Sequence, residues 1–422
     1  MDFIGEGVAI IASGVEKTRN NDVNYIFRQD STFWYFTGFE EPNSVVVLAP
    51  NTDKPYTMFV PPYDENYETW VGQRAGIEGA IGQYLADQAF PIEDLETRLP
   101  QLLSDTSTLY FTPNPDHDLD PLINKILSSQ RRNHSRGGAL ITNVRDLSSI
   151  TSNMRLTKTD QEITQIKKAI DITDKGFIKA FSNTLPGKYE YQIQASLESQ
   201  FRDLGSPRNG YPSIVAGGSN SCTLHYIKND EVLADGDLLL IDAGAEFDYY
   251  TADITRTWPI NGKFSSEQLE TYSIVLAAQE AAIKSIKPGI TFEEVHQAAL
   301  KILVQGLKDL GILKESLDSI IEEKSYAPYY MHATSHWLGL DVHDAGIYRN
   351  SKGSIKLERG MVLTVEPGLY FGKLAPNVPK QFQGIGIRIE DNILVTDVGF
   401  DNLSRNIPSL PNELEQLIGT GS

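Results

Sequence analysis

The residues of this chain best suited to chemistry are carboxylates set at the ends of apolar, β-rich runs. The run 238–241 leads straight into Asp242, and Asp253 follows eleven residues later between Ala252 and Ile254. The pattern recurs where 361–365 leads into Glu366 and where 386–389 leads into Glu390. A charged group at the end of a buried strand is costly unless something compensates it, and a cation is one such compensation. One such acid could equally be a salt-bridged core residue. Four in matching contexts point to a shared site.

Of the 7 histidines, His225, His332, His336 and His343 lie in motif-like segments of the same half of the chain as these acids. His117, His134 and His296 sit in polar or helical surroundings and read as surface or packing residues. His332 and His336 have the spacing of a zinc-binding helix pair. Ala333, however, stands where that motif needs a glutamate base, and Gly339 with Val342 makes a long helix unconvincing. Four carboxylates with an imidazole form a hard, oxygen-rich donor set suited to two divalent ions, Mn2+ first, with Zn2+, Co2+ and Fe2+ as other fits. Two ions about 3.5–4 Å apart could share carboxylates and hold one bridging hydroxide, nucleophilic at neutral pH. Hydrolysis is the chemistry implied. Cys222, three residues before His225, invites a nucleophile reading, but a lone cysteine beside a strand reads better as a small buried apolar residue.

These residues need a scaffold, and 422 residues are too many for one ordinary core, so two domains are expected. With 40% hydrophobic and 22% charged residues the composition is that of a globular protein. A formal charge of -19 disfavours nucleic acid and anionic membrane as partners. The single cysteine excludes an internal disulfide framework and fits a reducing compartment. The start of the chain lacks the basic region of a secretory signal, and no apolar stretch approaches a membrane span of roughly 20 residues. A cytoplasmic location is the resulting expectation.

Short β-rich runs at 45–49, 56–60 and 109–112, with a helical stretch at 92–103, predict a mixed α/β domain over residues 1–152. The small, polar segment 147–152 marks its end. From 153 to 422, helical spacing at 159–183, 189–204, 266–286 and 291–310 is interleaved with β-rich segments at 213–217, 237–243, 252–260, 361–365 and 385–396. Helices set apart from hairpin-like strands argue for α+β, and the order of helix pair then strands occurs on both sides of about residue 288.

At this point the residues resemble a known family, the pita-bread metallopeptidases, and within it aminopeptidase P. The resemblance is carried by Asp242-Ala243-Gly244, by Thr251-Ala252-Asp253-Ile254-Thr255-Arg256-Thr257, by the stretch 332–344, by Thr364-Val365-Glu366-Pro367-Gly368 and by Gly386-Ile387-Arg388-Ile389-Glu390-Asp391. In the first domain, 25–38 resembles the N-terminal domain of the bacterial enzymes, so the likeness spans nearly the whole chain. It implies an N-terminal domain followed by a pita-bread catalytic domain with pseudo-two-fold halves. It also implies a cytoplasmic homo-oligomer, a dimer or tetramer, acting on proline-containing peptides.

By that similarity Asp242, Asp253, His336, Glu366 and Glu390 would hold two Mn2+ ions, with Asp253 and Glu390 shared between them. His225, His332 and His343 would contact substrate or support the ligands, Arg388 would orient the site, and Glu366 would also pass a proton to the proline nitrogen. Tyr211 matches a substrate-side tyrosine and Trp70 a tryptophan near the proline pocket. Ala333 departs from the glycine usual after the first histidine. Three alternatives share the catalytic fold: prolidase, which cuts Xaa-Pro dipeptides; methionine aminopeptidase, which usually lacks such an N-terminal domain; and creatinase, which lacks the metal set. A fourth, from a different class, is a metal-free peptide-binding module of the same fold. Such modules usually lose the ligands that this chain keeps.

Overall fold

The computed structural model describes residues 1, 3–113, 119–136 and 140–420, so His117 lies outside the described residues. The chain divides into two compact units, Met1–Thr151 and Ser152–Ser422.

The first unit is built on a six-stranded mixed sheet. Its order is Gln88–Pro91, Tyr56–Val60, Val45–Leu48, Val8–Ala12, Thr108–Phe111 and Asn143–Arg145. The central strands are apolar at consecutive positions because both faces are buried. Val8, Ile10, Val45, Val47 and Phe59 face one core with Leu95, Leu99 and Ile123. Ala9, Ile11, Val46, Met58 and Val60 face the other with Phe33 and Phe39. Val8–Ala12, which the sequence shows only as a short apolar run, is thus a central strand, paired antiparallel to Val45–Leu48 and parallel to Thr108–Phe111. The segment 147–152 is not a structureless break. Asp146 Oδ1 accepts from the Ser148 amide at 2.8 Å, capping the helix Ser148–Leu156, and Leu147 with Ile150 packs into the second core.

The second unit repeats one arrangement twice. The helices Asp160–Asn183 and Glu190–Asp203 precede an antiparallel sheet of Ile214–Gly217, Leu238–Ala243 and Ile254–Pro259. The helices Ser266–Ser285 and Phe292–Asp309 precede a second antiparallel sheet of Val362–Val365, Asp391–Val395 and Phe400–Asn402. Three of these helices open with a reciprocal cap: Thr159 with Glu162, Ser265 with Gln268 and Thr291 with Glu294. Helix and sheet faces from both halves join one hydrophobic core that includes Phe177, Trp258, Tyr272, Leu303, Leu363 and Ile393.

Buried polar groups lock the halves together. Arg256, fully buried, donates to Asp391 Oδ1 at 2.7 Å and to the carbonyls of Thr255, Glu390, Ile407 and Pro408. Burial opposes the Asp391 charge, but Arg256, with hydrogen bonds from Ser404 and Asn402, holds its carboxyl below the usual carboxylate range. The stability this contributes is present above that range and is lost as the pH falls through the lowered value. Asp391→Asn would leave a buried guanidinium without its counter-charge and is expected to destabilise the second unit by about 3–5 kcal/mol. A urea titration followed by tryptophan fluorescence measures this, and an unchanged midpoint would show the pair to be dispensable.

Candidate metal centre

In each half an antiparallel strand pair brings two carboxylates to the same end. Asp242 sits on Leu238–Ala243 opposite Thr255, while Asp253 immediately precedes Ile254–Pro259. Glu366 follows Val362–Val365 and Glu390 precedes Asp391–Val395, where Val365 pairs with Asp391. The predicted single β segment 385–396 is broken in two. Gly386–Arg388 pairs with Gly368–Tyr370, and Asp391–Val395 joins a different sheet, so Glu390 stands at the break.

The two pairs are sewn together by backbone and amide bonds. Asn392 accepts from the Asp253 amide at 3.1 Å and donates to the Asp253 carbonyl at 2.6 Å, and the Glu390 amide donates to the Thr255 carbonyl at 3.0 Å. The stretch around His336 is no helix. It runs beside Val362–Val365, with Thr364 N bonded to the His336 carbonyl at 2.9 Å and Glu366 N bonded to the Thr334 carbonyl at 2.8 Å. His336 Nδ1 faces the Trp337 carbonyl at 3.0 Å, which leaves Nε2 free to point at Asp253 Oδ2 (3.2 Å) and Glu366 Oε1 (3.6 Å).

Four acids gathered here face one buried guanidinium, that of Arg388. Burial pushes the Glu366 carboxyl up to about 7 and lifts Glu390 well above the carboxylate range, with repulsion from Asp253 adding to the Glu390 shift. Asp253 is raised by burial and by Asp242. Burial works against a charged His336, but Asp253 and Glu366 outweigh it and draw the imidazole up to about 9. Glu390 Oε2 accepts from Thr255 at 2.7 Å, whereas Oε1 is buried with no hydrogen-bond partner among the described residues. Donor atoms of Asp253, His336 and Glu390 lie within 4.8 Å of one another. An orphaned carboxylate oxygen, mutual repulsion between acids and an imidazole nitrogen turned toward them fit a divalent cation.

Around these acids, the Tyr211 hydroxyl touches Asp242 Oδ1 at 2.6 Å and Asp253 Oδ1 at 2.5 Å. Arg388 reaches Asp242 Oδ2 at 2.6 Å, Thr255 Oγ1 at 3.1 Å and the Tyr370 hydroxyl at 3.1 Å. His332 bonds the Tyr370 hydroxyl through Nε2 at 2.7 Å and the Ala333 carbonyl through Nδ1 at 2.8 Å. Burial, then Arg388, drops its imidazole to about 3, so it is neutral. The His343 ring lies edge-on to His336 with centroids 4.4 Å apart, and burial followed by His336 lowers its pKa.

Tyr211, His225, His332, His336, His343, Arg388 and the four acids all line one cavity of about 920 Å3. The lining residues of this cavity all belong to the second unit. Trp70 belongs to the first unit, on the helix Glu65–Val71, and is 86% exposed. His134 ends a helix of the first unit and is exposed. His296 packs against Tyr330 and bonds Thr334 Oγ1 at 2.8 Å. Cys222 is half-buried beside Gly372, and burial raises its thiol to about 11, which leaves it a poor nucleophile.

Sequence reasoning missed Thr255, Tyr370 and Asn392. All three lie near residues it did single out, Thr255 two positions after Asp253, Tyr370 four after Glu366 and Asn392 two after Glu390. Neither a hydroxyl nor an amide shows its partner in a local pattern.

Comparison with known proteins accords with this geometry. Residues 164–397 match the model of metallopeptidase family M24, and residues 1–110 match that of the aminopeptidase P N-terminal domain. The Xaa-Pro aminopeptidase of Haemophilus influenzae is 44% identical over 97% of this chain and 92% of its own length. The solved aminopeptidase of Pseudomonas aeruginosa superposes with a TM-score of 0.95 at 40% identity, over 98% of this chain and 94% of that one. Zinc-substituted aminopeptidase P of Escherichia coli, in complex with product, does so with a TM-score of 0.94 at 39% identity, over 98% and 94%. The chain belongs to metallopeptidase family M24, in its aminopeptidase P branch, the Xaa-Pro aminopeptidases.

Proposed function

We propose that this chain hydrolyses the peptide bond between an N-terminal residue and a following proline, with two divalent ions held by Asp242, Asp253, His336, Glu366 and Glu390. The observation that carries the reading is the buried, unpartnered Glu390 Oε1 among acids whose charges repel one another. The relatives named Xaa-Pro aminopeptidase support the substrate, and the E. coli relative, solved with zinc and product, supports the metal dependence. The oxygen-rich donor set favours Mn2+. Asp253 and Glu390 would help to hold both ions. A homo-oligomer, dimer or tetramer, in the cytoplasm is part of the same reading, in keeping with the single cysteine.

When bound, the ions would supply a water-derived nucleophile at neutral pH and polarise the scissile carbonyl. The remaining steps fall to side chains. His225 and His343, on the wall of the cavity, donate hydrogen bonds to the oxygen that becomes negative in the transition state. The proline nitrogen has no N–H and must gain a proton to leave; Glu366, on receiving the proton that the attacking water gives up, delivers it. Arg388 fixes Asp242, and His332 fixes Tyr370, so both shape the floor on which the substrate rests. Tyr211 meets the peptide from the Asp242 side. Imidazoles and the apolar Leu224, Ile227 and Val342 offer a slot that a rigid proline ring fills better than a flexible side chain.

Incubation with Arg-Pro-Pro and with an Xaa-Pro dipeptide, with and without Mn2+ and a chelator, tests this. Metal-dependent release of the first residue from the tripeptide is expected, with Asp253→Ala lowering it by at least about a hundredfold. Cleavage of the dipeptide alone would make the chain a prolidase, and no cleavage of either would make it a binding module. A second outcome follows from the raised acids. The metal-free protein holds protons at pH 6 that a cation must displace, and near pH 8 fewer remain. Infrared difference spectra of the metal-free protein are therefore expected to show a protonated-carboxyl band that falls between pH 6 and pH 8. A band unchanged over that range would contradict the raised Glu366.

A further inference from the structure

The wall of the cavity that carries His225 is an irregular segment. After the 3-10 turn Gly218–Cys222 the chain has no regular element until Leu238, yet Leu224, His225 and Ile227 line the cavity. One carboxylate gathers this segment. Glu190, fully buried at the start of the helix Glu190–Asp203, accepts four hydrogen bonds, all from residues 217–231. Oε1 takes the Gly217 amide at 2.7 Å and Asn220 Nδ2 at 3.0 Å. Oε2 takes the Tyr226 hydroxyl at 2.7 Å and the Glu231 amide at 3.0 Å. All four donors are neutral, and together they meet the full acceptor capacity of a carboxylate. Tyr226, the residue after His225, also packs on Ile214, Ala216 and Leu240, the face of the sheet opposite the main core. On its other side the segment presses on the strand that ends in Arg388: an added Cβ at Gly386 would lie 2.5 Å from the Ser221 carbonyl carbon.

We propose that Glu190 is a positioning residue of this enzyme: its carboxylate holds the segment 217–231 in the one conformation that presents His225 to the substrate. The proposal rests on the role given to His225 above. Glu190 touches neither the cavity nor the acids, so it acts through the loop alone. Glutamine has the same shape, but its amide nitrogen would face two donors with donors of its own, so Glu190→Gln should release the segment without removing bulk.

The only cysteine of the chain, Cys222, lies in that segment and reports on it. Its half-buried thiol, held at about 11, should react slowly with iodoacetamide at pH 8, and exposure would return it toward an ordinary thiol. The experiment compares the Mn2+-loaded wild type with Glu190→Gln, His225→Ala and the double variant, reading Cys222 alkylation, metal content and kcat. Glu190→Gln is expected to raise the alkylation rate about tenfold or more and to lower kcat about tenfold at unchanged metal content. His225→Ala should lower kcat on the order of a hundredfold and leave Cys222 as slow as before. The double variant should be no slower than His225→Ala, because a residue that acts through His225 has nothing left to position. Losses that multiply in the double variant, or an unchanged Cys222 rate in Glu190→Gln, would overturn the proposal. Full activity in His225→Ala would overturn the reading of His225 itself, while the alkylation rates still decide whether Glu190 anchors the loop. Tyr226→Phe removes one of the four donors and should shift both readouts in the same direction by less, which keeps the test open if Glu190→Gln folds poorly.

Discussion

Four carboxylates cannot share one buried cavity as bare anions, and the second unit is organised around that constraint. Each acid stands at the end of a strand whose apolar residues belong to the core, so none can swing out to water without breaking a β ladder. The structure answers the repulsion partly from within. Arg388 neutralises Asp242, Thr255 donates to Glu390 and Tyr211 to Asp253, and His336 turns an imidazole nitrogen toward Asp253 and Glu366. One oxygen of Glu390 remains without any partner. The protein thus supplies an enclosure whose charge is incomplete by design of the sheet ends, and a divalent cation completes it.

The pairing of two similar halves explains how such an enclosure is built. A single antiparallel pair can bring two acids to one end, but no more, because alternate residues point to opposite faces. Two such pairs facing each other give four. Their mutual placement is then fixed by bonds that cross the halves, from Asn392 to the Asp253 backbone and from Arg256 to the Glu390 carbonyl. These crossing bonds are as necessary to the site as the acids themselves.

Much of this architecture can be read from the chain before any fold is known. The long helices and the strands of the second unit show in their apolar spacing, and the acids stand out because each follows or interrupts an apolar run. What stays hidden depends on partners distant in sequence. The helix Ser31–Thr37, by contrast, has its signals beside it: Asp30 caps its start and Gly38 ends it at a φ of 63°. Val8–Ala12 looks like a minor apolar run until its two neighbouring strands are known. Thr255, Tyr370, Asn392 and Glu190 are ordinary polar residues in one dimension, and their functions come only from what they meet.

The stretch from Arg388 to Asn392 serves two sides at once. Arg388 and Glu390 face the cavity, Ile389 enters the core, Asp391 meets Arg256, and Asn392 clasps the backbone of Asp253. Inserting or deleting one residue there would turn every one of these side chains to the wrong face, placing an acid in the core and an isoleucine among the ligands. Changes of length must therefore fall elsewhere. The neighbouring connection has room for them around Leu374, which is 95% exposed, whereas 386–395 is held to its number of residues.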